Sequence, residues 1–111
     1  MNSAESVMNH RVAVYVKGCE CRVTPGHLVV EPGDAITFMP VNTDVTLLFP
    51  LFDQEAYLPT EGIRVKAAGQ LSIPLDPVMP DGVYPYAVYC HANNSFAIGG
   101  SDPVIIVRKS R

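Results

Sequence analysis

Turn-forming residues divide this chain into short segments, and their regular spacing restricts its fold more than any other feature. Ten prolines and eight glycines are spread along the sequence, and turn signals such as those at 32–34 and 80–82 recur about every ten residues. Between the turns, apolar residues alternate with others, as Val12, Val14 and Val16 do, which is the pattern of a half-buried strand. The sequence therefore predicts an all-β protein, an antiparallel Greek-key β-sandwich.

The domain organisation follows from the same pattern. Residues 1–10 are predicted to form a flexible N-terminus, and 11–109 a single domain. Residues 18–26 are predicted to be irregular, and 50–62 to be a surface crossover with one helical turn at 54–57. The predicted strands are 11–16, 27–31, 35–41, 45–49, 63–66, 70–75, 82–90 and 104–107.

Composition excludes several classes of protein. Hydrophobic residues make up 48% of the chain and charged residues 17%, which is typical of a globular domain. The net charge is −3 and the basic residues are scattered, so we expect no nucleic-acid partner. No apolar run reaches the roughly 18 residues of a membrane span, and the first nine residues do not resemble a signal peptide. These features predict a cytoplasmic protein with no membrane partner.

The three cysteines leave several possibilities open. An odd number is unusual for a disulfide-stabilised secreted domain, and free thiols are the simplest expectation in a reducing compartment. The alternatives are a disulfide from Cys90 to Cys19 or Cys21, or a metal site. On an extended segment Cys19 and Cys21 would lie on one face ~6.6 Å apart. They would need a further ligand, for which His27 and His10 are the nearby candidates.

Cys90 stands at the mouth of a loop between the two strands 82–90 and 104–107. It continues an alternation of apolar residues, so we expect a buried side chain that reacts slowly with thiol reagents, and Cys19 and Cys21 should react first. A metal ligand or a reactive thiol is the alternative for Cys90. His91 follows directly, and a solvent-facing or backbone-bonded imidazole is the alternative to its use as a metal ligand.

Two segments in this order resemble the cupredoxins. Residues 29–38 read VVEPGDAITF and are followed by Asn42, while 82–90 read GVYPYAVYC. These are similar to the cupredoxin run v-x-P-G-D-x-V-x-f with its following Asn, and to the strand G-x-Y-x-f-x-C that ends in the copper cysteine. Gly99-Gly100 and the last strand resemble the closing part of that fold, so the likeness covers residues 11–108.

The resemblance implies the positions of a blue-copper site, which needs two imidazoles, a thiolate and usually an axial Met. Cys90 occupies the position of the thiolate. The first His would fall near Val45, the second near Asn93 and the Met near Ile98, and none of these is the required residue. His91 is adjacent to Cys90 and should point to the opposite face of the strand. The resemblance therefore implies a cupredoxin-like fold without a blue-copper centre.

These observations favour a binding or interaction module with an unknown protein or small-molecule partner and no resident cofactor. The alternative is a soft-metal carrier or sensor that binds copper or zinc through Cys19, Cys21 and Cys90 with His27 or His91. An enzyme is not expected, since no G-x-S-x-G motif or comparable catalytic pattern occurs.

Overall fold

The computed structural model describes residues 8–50, 62–97 and 103–109, and within them the secondary structure is entirely β. No helix in these ranges has the length and hydrophobicity needed to cross a membrane. The strands are β1 (Asn9–Lys17), β2 (Glu20–Thr24), β3 (His27–Val30), β4 (Ala35–Pro40), β5 (Val45–Leu48), β6 (Ile63–Val65), β7 (Leu71–Pro74), β8 (Gly82–Pro85), β9 (Ala87–Cys90), β10 (Ser95–Phe96) and β11 (Val104–Val107).

The strands form three sheets around one core. Sheet A has the order β2-β1-β4-β7, sheet B the order β3-β11-β8, and sheet C the order β10-β9-β5-β6. Only Tyr86 separates β8 from β9, and its amide donates to the carbonyl of Pro103 at 3.0 Å. Sheets B and C are therefore linked through one chain segment, in which Tyr86 lies between β8 and β9. Two pairs, β1 with β4 and β3 with β11, are parallel, a feature that the predicted antiparallel arrangement did not include.

Alternating apolar residues fill the space between the sheets, as the pattern predicted. Val12 and Val14 of β1 are fully buried, and so are Ile36 and Phe38 of β4. The ring of Phe38 lies 5.6 Å from the ring of Phe49 and 5.6 Å from that of Tyr86. Each large apolar side chain fully buried in this way contributes about 1.5–3 kcal/mol to folding.

Several predicted boundaries differ from the structure. The prediction that 18–26 is irregular is wrong, because β2 pairs antiparallel with β1 across a tight turn in which Gly18 has a φ of 63°. The loop predicted after Cys90 contains β10, and β1 begins at Asn9 instead of Arg11. The helical turn predicted at 54–57 lies outside the described residues.

Asp34 joins the start of β1 to the turn between β3 and β4. Its carboxylate accepts hydrogen bonds from His10 Nε2 at 2.8 Å and from the amides of Glu31 and Met8 at 3.0 and 3.3 Å. Burial alone would raise the pKa of Asp34, but the hydrogen bonds from Glu31, His10 and Met8 outweigh it and lower that pKa. An ionised carboxylate therefore holds these two segments together.

Tyr86 carries a buried hydroxyl with no hydrogen-bond partner among the residues that the structure describes, and we expect Tyr86→Phe to raise the free energy of unfolding by about 1–2 kcal/mol. The side chain is 2% exposed, and burial raises the pKa of its hydroxyl. The phenylalanine ring would keep the contacts with Phe38 and Phe49. Urea denaturation would measure the change.

Tyr89→Phe is the matched control, because the Tyr89 hydroxyl donates to Asn94 Oδ1 at 3.2 Å. That variant should be slightly less stable than the wild type. A loss of stability in Tyr86→Phe as well would mean that the Tyr86 hydroxyl has a partner in solution, such as a buried water.

Candidate functional site

A disulfide between Cys21 and Cys90 occupies the position where the sequence suggested chemistry. The bond joins β2 of sheet A to β9 of sheet C, with a Cα–Cα distance of 5.8 Å, and both residues are fully buried. Cys90 points into the core as predicted. The expectation of free thiols is wrong for Cys90 and Cys21, and so is the expectation that Cys21 would react early. Because β2 is a regular strand, Cys21 faces inward instead of lying on an exposed loop.

Backbone pairing brings the two cysteines together from distant parts of the chain. Cys21 forms an isolated parallel bridge with Ala97, directly after β10. Next to it, Ser95 of β10 pairs with Cys90. The short strand β10 therefore lies beside both β2 and β9 and aligns them for the cross-link.

The other neighbour of Cys90 in the sheet is apolar. Val45 of β5 is the direct partner of Cys90 across the antiparallel pair, and it is fully buried. Two pairs further along these strands, Val88 and Leu47 are also buried. The Cys90 sulfur is thus enclosed by aliphatic side chains and is bonded to another sulfur, so it offers no thiolate in this state.

His91 lies on the opposite side of sheet C from Cys90. Its Nε2 is 2.8 Å from Thr46 Oγ1, and its amide donates to the carbonyl of Asp44 at 2.9 Å. Its ring is 5.0 Å from that of Tyr89 in an edge-to-face contact. The alternation of strand residues predicted this separation, and the imidazole is held by a hydroxyl instead of facing a shared site with Cys90.

The remaining cysteine is exposed and free. Cys19 lies in the turn between β1 and β2, and its carbonyl accepts a hydrogen bond from Asn93 Nδ2 at 2.8 Å. That contact links the β1–β2 turn to the loop after Cys90. His27 is exposed on β3 in sheet B.

Of the five predicted metal-site residues, Cys21 and Cys90 are joined to each other by the disulfide. Within the ranges that the structure describes, no three His, Cys, Asp or Glu side chains are placed to hold a metal ion.

A cavity that sequence reasoning missed lies at the other end of the sandwich. It has a volume of about 260 Å³ and opens between the start of β1 and the end of β3. Met8, Val29 and Val30 provide apolar walls, while Arg108 and Glu31 stand at its polar side. The P-G-D turn at 32–34 is the sequence feature that could have indicated this cavity, since Asp34 of that turn borders it.

Comparison with known proteins identifies the fold. No protein-family model and no curated protein matches the sequence. Among solved structures, amicyanin from Paracoccus versutus (Thiobacillus versutus) aligns with a TM-score of 0.55 at 13% identity, covering 96% of this chain and 89% of amicyanin.

Two further structures give the same result. A purple cupredoxin from Nitrosopumilus maritimus aligns with a TM-score of 0.57 at 10% identity, covering 89% of this chain and 99% of the other. A reduced Cu(I) form of an amicyanin variant aligns with a TM-score of 0.52 at 15% identity, covering 96% and 90%. The chain therefore has a cupredoxin-like β-sandwich fold, as the sequence predicted. Identities this low establish the fold alone.

Proposed function

We propose that this protein is a binding or interaction module built on the cupredoxin fold, and that it works without a blue-copper centre or catalytic activity. The observation that carries this proposal is the covalent bond between the Cys90 and Cys21 sulfurs in the core. A blue-copper centre needs a cysteine thiolate, and the disulfide removes the one thiolate that the fold would supply.

The neighbours of Cys90 support the same conclusion. Val45, the direct strand partner of Cys90, has no donor atom in its side chain. His91 lies on the outer face of the sheet against Thr46, and the Asn93 side chain donates a hydrogen bond to the Cys19 carbonyl. Two imidazoles and a thiolate are therefore not within reach of one ion, and the residues present do not fit a blue-copper centre.

We expect Cu²⁺ added to the oxidised protein to give no intense blue thiolate-to-copper absorption band. The physical reason is that Cys90 has no free sulfur and Val45 no ligand atom. Visible absorption spectroscopy, with metal analysis of the purified protein, would measure this, and an amicyanin under the same conditions would be the positive control. An intense blue band at one copper per chain would contradict the proposal.

A soft-metal carrier or sensor remains the second candidate, and one contact favours it. The Asn93–Cys19 hydrogen bond holds the turn of Cys19 against the loop after Cys90. Reduction of the disulfide would release two thiols in addition to the Cys19 thiol, which is already free. Three thiols are a ligand set that suits Cu⁺ or Zn²⁺. If this candidate is correct, the protein should bind Cu⁺ or Zn²⁺ only after the disulfide is reduced. The reduced Cys19→Ser variant should not bind the metal.

A further inference from the structure

We propose that the outer edge of β3, which pairs with no strand among the described residues, is together with the cavity beside it the docking site of this module. The occupant that we infer is an extended segment of a partner protein that adds to sheet B as a further strand. This inference rests on the proposed function as an interaction module and names the surface and the partner chemistry. Recognition of this kind uses main-chain hydrogen bonds for affinity and alternate side chains for specificity.

The strand β3 is at the edge of sheet B and has β11 as its neighbour on one side. The carbonyls of Gly26 and Val30 accept hydrogen bonds from the amides of Val104 and Arg108 at 2.9 Å each. Because consecutive residues direct their peptide groups to alternate sides of a strand, those of His27 and Val29 point away from β11. An edge of this kind is a template for pairing with another chain.

The outer face of sheet B is apolar next to this edge. Val29 pairs with Ile106, and Ile106 pairs with Val83, so the three side chains form one row across the sheet. Val29 is 52% exposed and Val83 59% exposed. A residue added opposite Val29 would extend this row, and a β-branched side chain suits such a cross-strand position.

Charged residues lie at the ends of the same three strands. Glu31 directly follows β3, Arg108 directly follows β11 and Asp81 directly precedes β8, and all three are exposed. Across the sheet the order is therefore acid, base, acid, with Glu31 beside the outer edge of β3. A Lys or Arg of the partner strand opposite Glu31 would form a favourable cross-strand pair, and the chain's net charge of −3 favours a basic segment as well.

The cavity would receive one side chain of the partner strand. This is the residue between those opposite Val29 and Glu31, whose side chain would point inward. The cavity borders Val30, which faces the core, and Met8, which directly precedes β1 of sheet A and is 59% exposed. Its volume of about 260 Å³ is below the ~300–1,000 Å³ of sites for whole small-molecule ligands. An aliphatic side chain of an added strand is therefore the occupant that it suits. The partner segment thus has a β-branched residue, an aliphatic residue and a basic residue in succession, in either chain direction.

A selection from a displayed library of unstructured random peptides would test this inference. We expect the binders to carry the apolar–apolar–basic pattern. With one synthetic binder, the NMR signals of the His27 and Val29 amides should shift and become protected from hydrogen exchange. Val29→Pro should weaken binding at least about tenfold, because it removes an edge N–H that points away from β11 and pairs with no other described strand.

Two further variants test the docking site independently of Val29→Pro. Glu31→Lys should also weaken binding of basic peptides, and it serves if Val29→Pro impairs folding. Val41→Lys replaces a valine of similar exposure (57%) outside sheet B and should change the affinity by no more than about twofold.

The outcomes also separate this inference from the proposed function. Binders that Val29→Pro and Glu31→Lys both leave unaffected would overturn the β3 docking site and leave the interaction module standing. A library that yields no binder would likewise overturn the docking site. The copper test described above decides the absence of a blue-copper centre independently.

Discussion

Replacing Cys21 and Cys90 together by alanine is expected to lower the free energy of unfolding by about 4 kcal/mol. The disulfide closes a loop between residues 69 positions apart, and its main effect is to reduce the conformational entropy of the unfolded chain. A loss of this size is a large fraction of the stability of a domain, about 5–15 kcal/mol. Urea denaturation of the oxidised proteins would measure it.

Cys19→Ala is the matched control for that experiment. Cys19 is exposed and unpaired, so its removal should leave the denaturation midpoint nearly unchanged. Wild-type protein unfolded in a thiol reductant should resemble the double variant, because both lack the cross-link. A double variant as stable as the wild type would contradict the prediction and would mean that Cys21 and Cys90 are not joined in solution.

The disulfide also bears on where the protein works. Disulfides persist mainly in oxidising compartments and are rare in the cytosol, where thiols are kept reduced. The cytoplasmic location expected from the sequence stays a prediction. If it is correct, the buried position of the Cys21–Cys90 bond would have to protect it from reducing proteins.

The sequence predicted those strands that have a clear apolar alternation. Val12 and Val14 on β1, and Val88 and Cys90 on β9, are buried as the alternation required. The strand β2 was missed because Gly18 and Pro25 enclose it closely and suggested a loop. Its residues E-C-R-V-T do alternate. The strand pattern was therefore present, but five residues gave less weight to a strand than the flanking Gly and Pro gave to a loop.

The pairing of Cys21 with Cys90 depends on contacts that local sequence cannot specify. It requires β10 to lie beside both β2 and β9, and the connectivity of cysteines does not follow from their spacing. The outward position of His91 could be predicted from local sequence, because the alternation within a single strand determines it. The cavity beside β3 was missed for the same reason as the disulfide, since its walls come from the start of β1, from β3 and the turn after it, and from the residues that follow β11.

Phe38→Ala is expected to lower the free energy of unfolding by about 3–5 kcal/mol. The Phe38 side chain is 0% exposed, and its ring contacts the rings of Phe49 and Tyr86. Truncation would remove the buried apolar surface and leave a cavity that these two neighbours, fixed on other segments, cannot fill completely.

Phe96→Ala is the control that separates burial from the loss of an aromatic ring. Phe96 also contacts a ring, that of Tyr89 at 5.0 Å, but it is 52% exposed. Its truncation should therefore cost no more than about 1 kcal/mol. Equal losses in the two variants, measured by urea denaturation, would contradict the position of Phe38 between the sheets. A small loss in Phe38→Ala alone would mean that β4 is shifted by one residue, which would turn Phe38 to the surface.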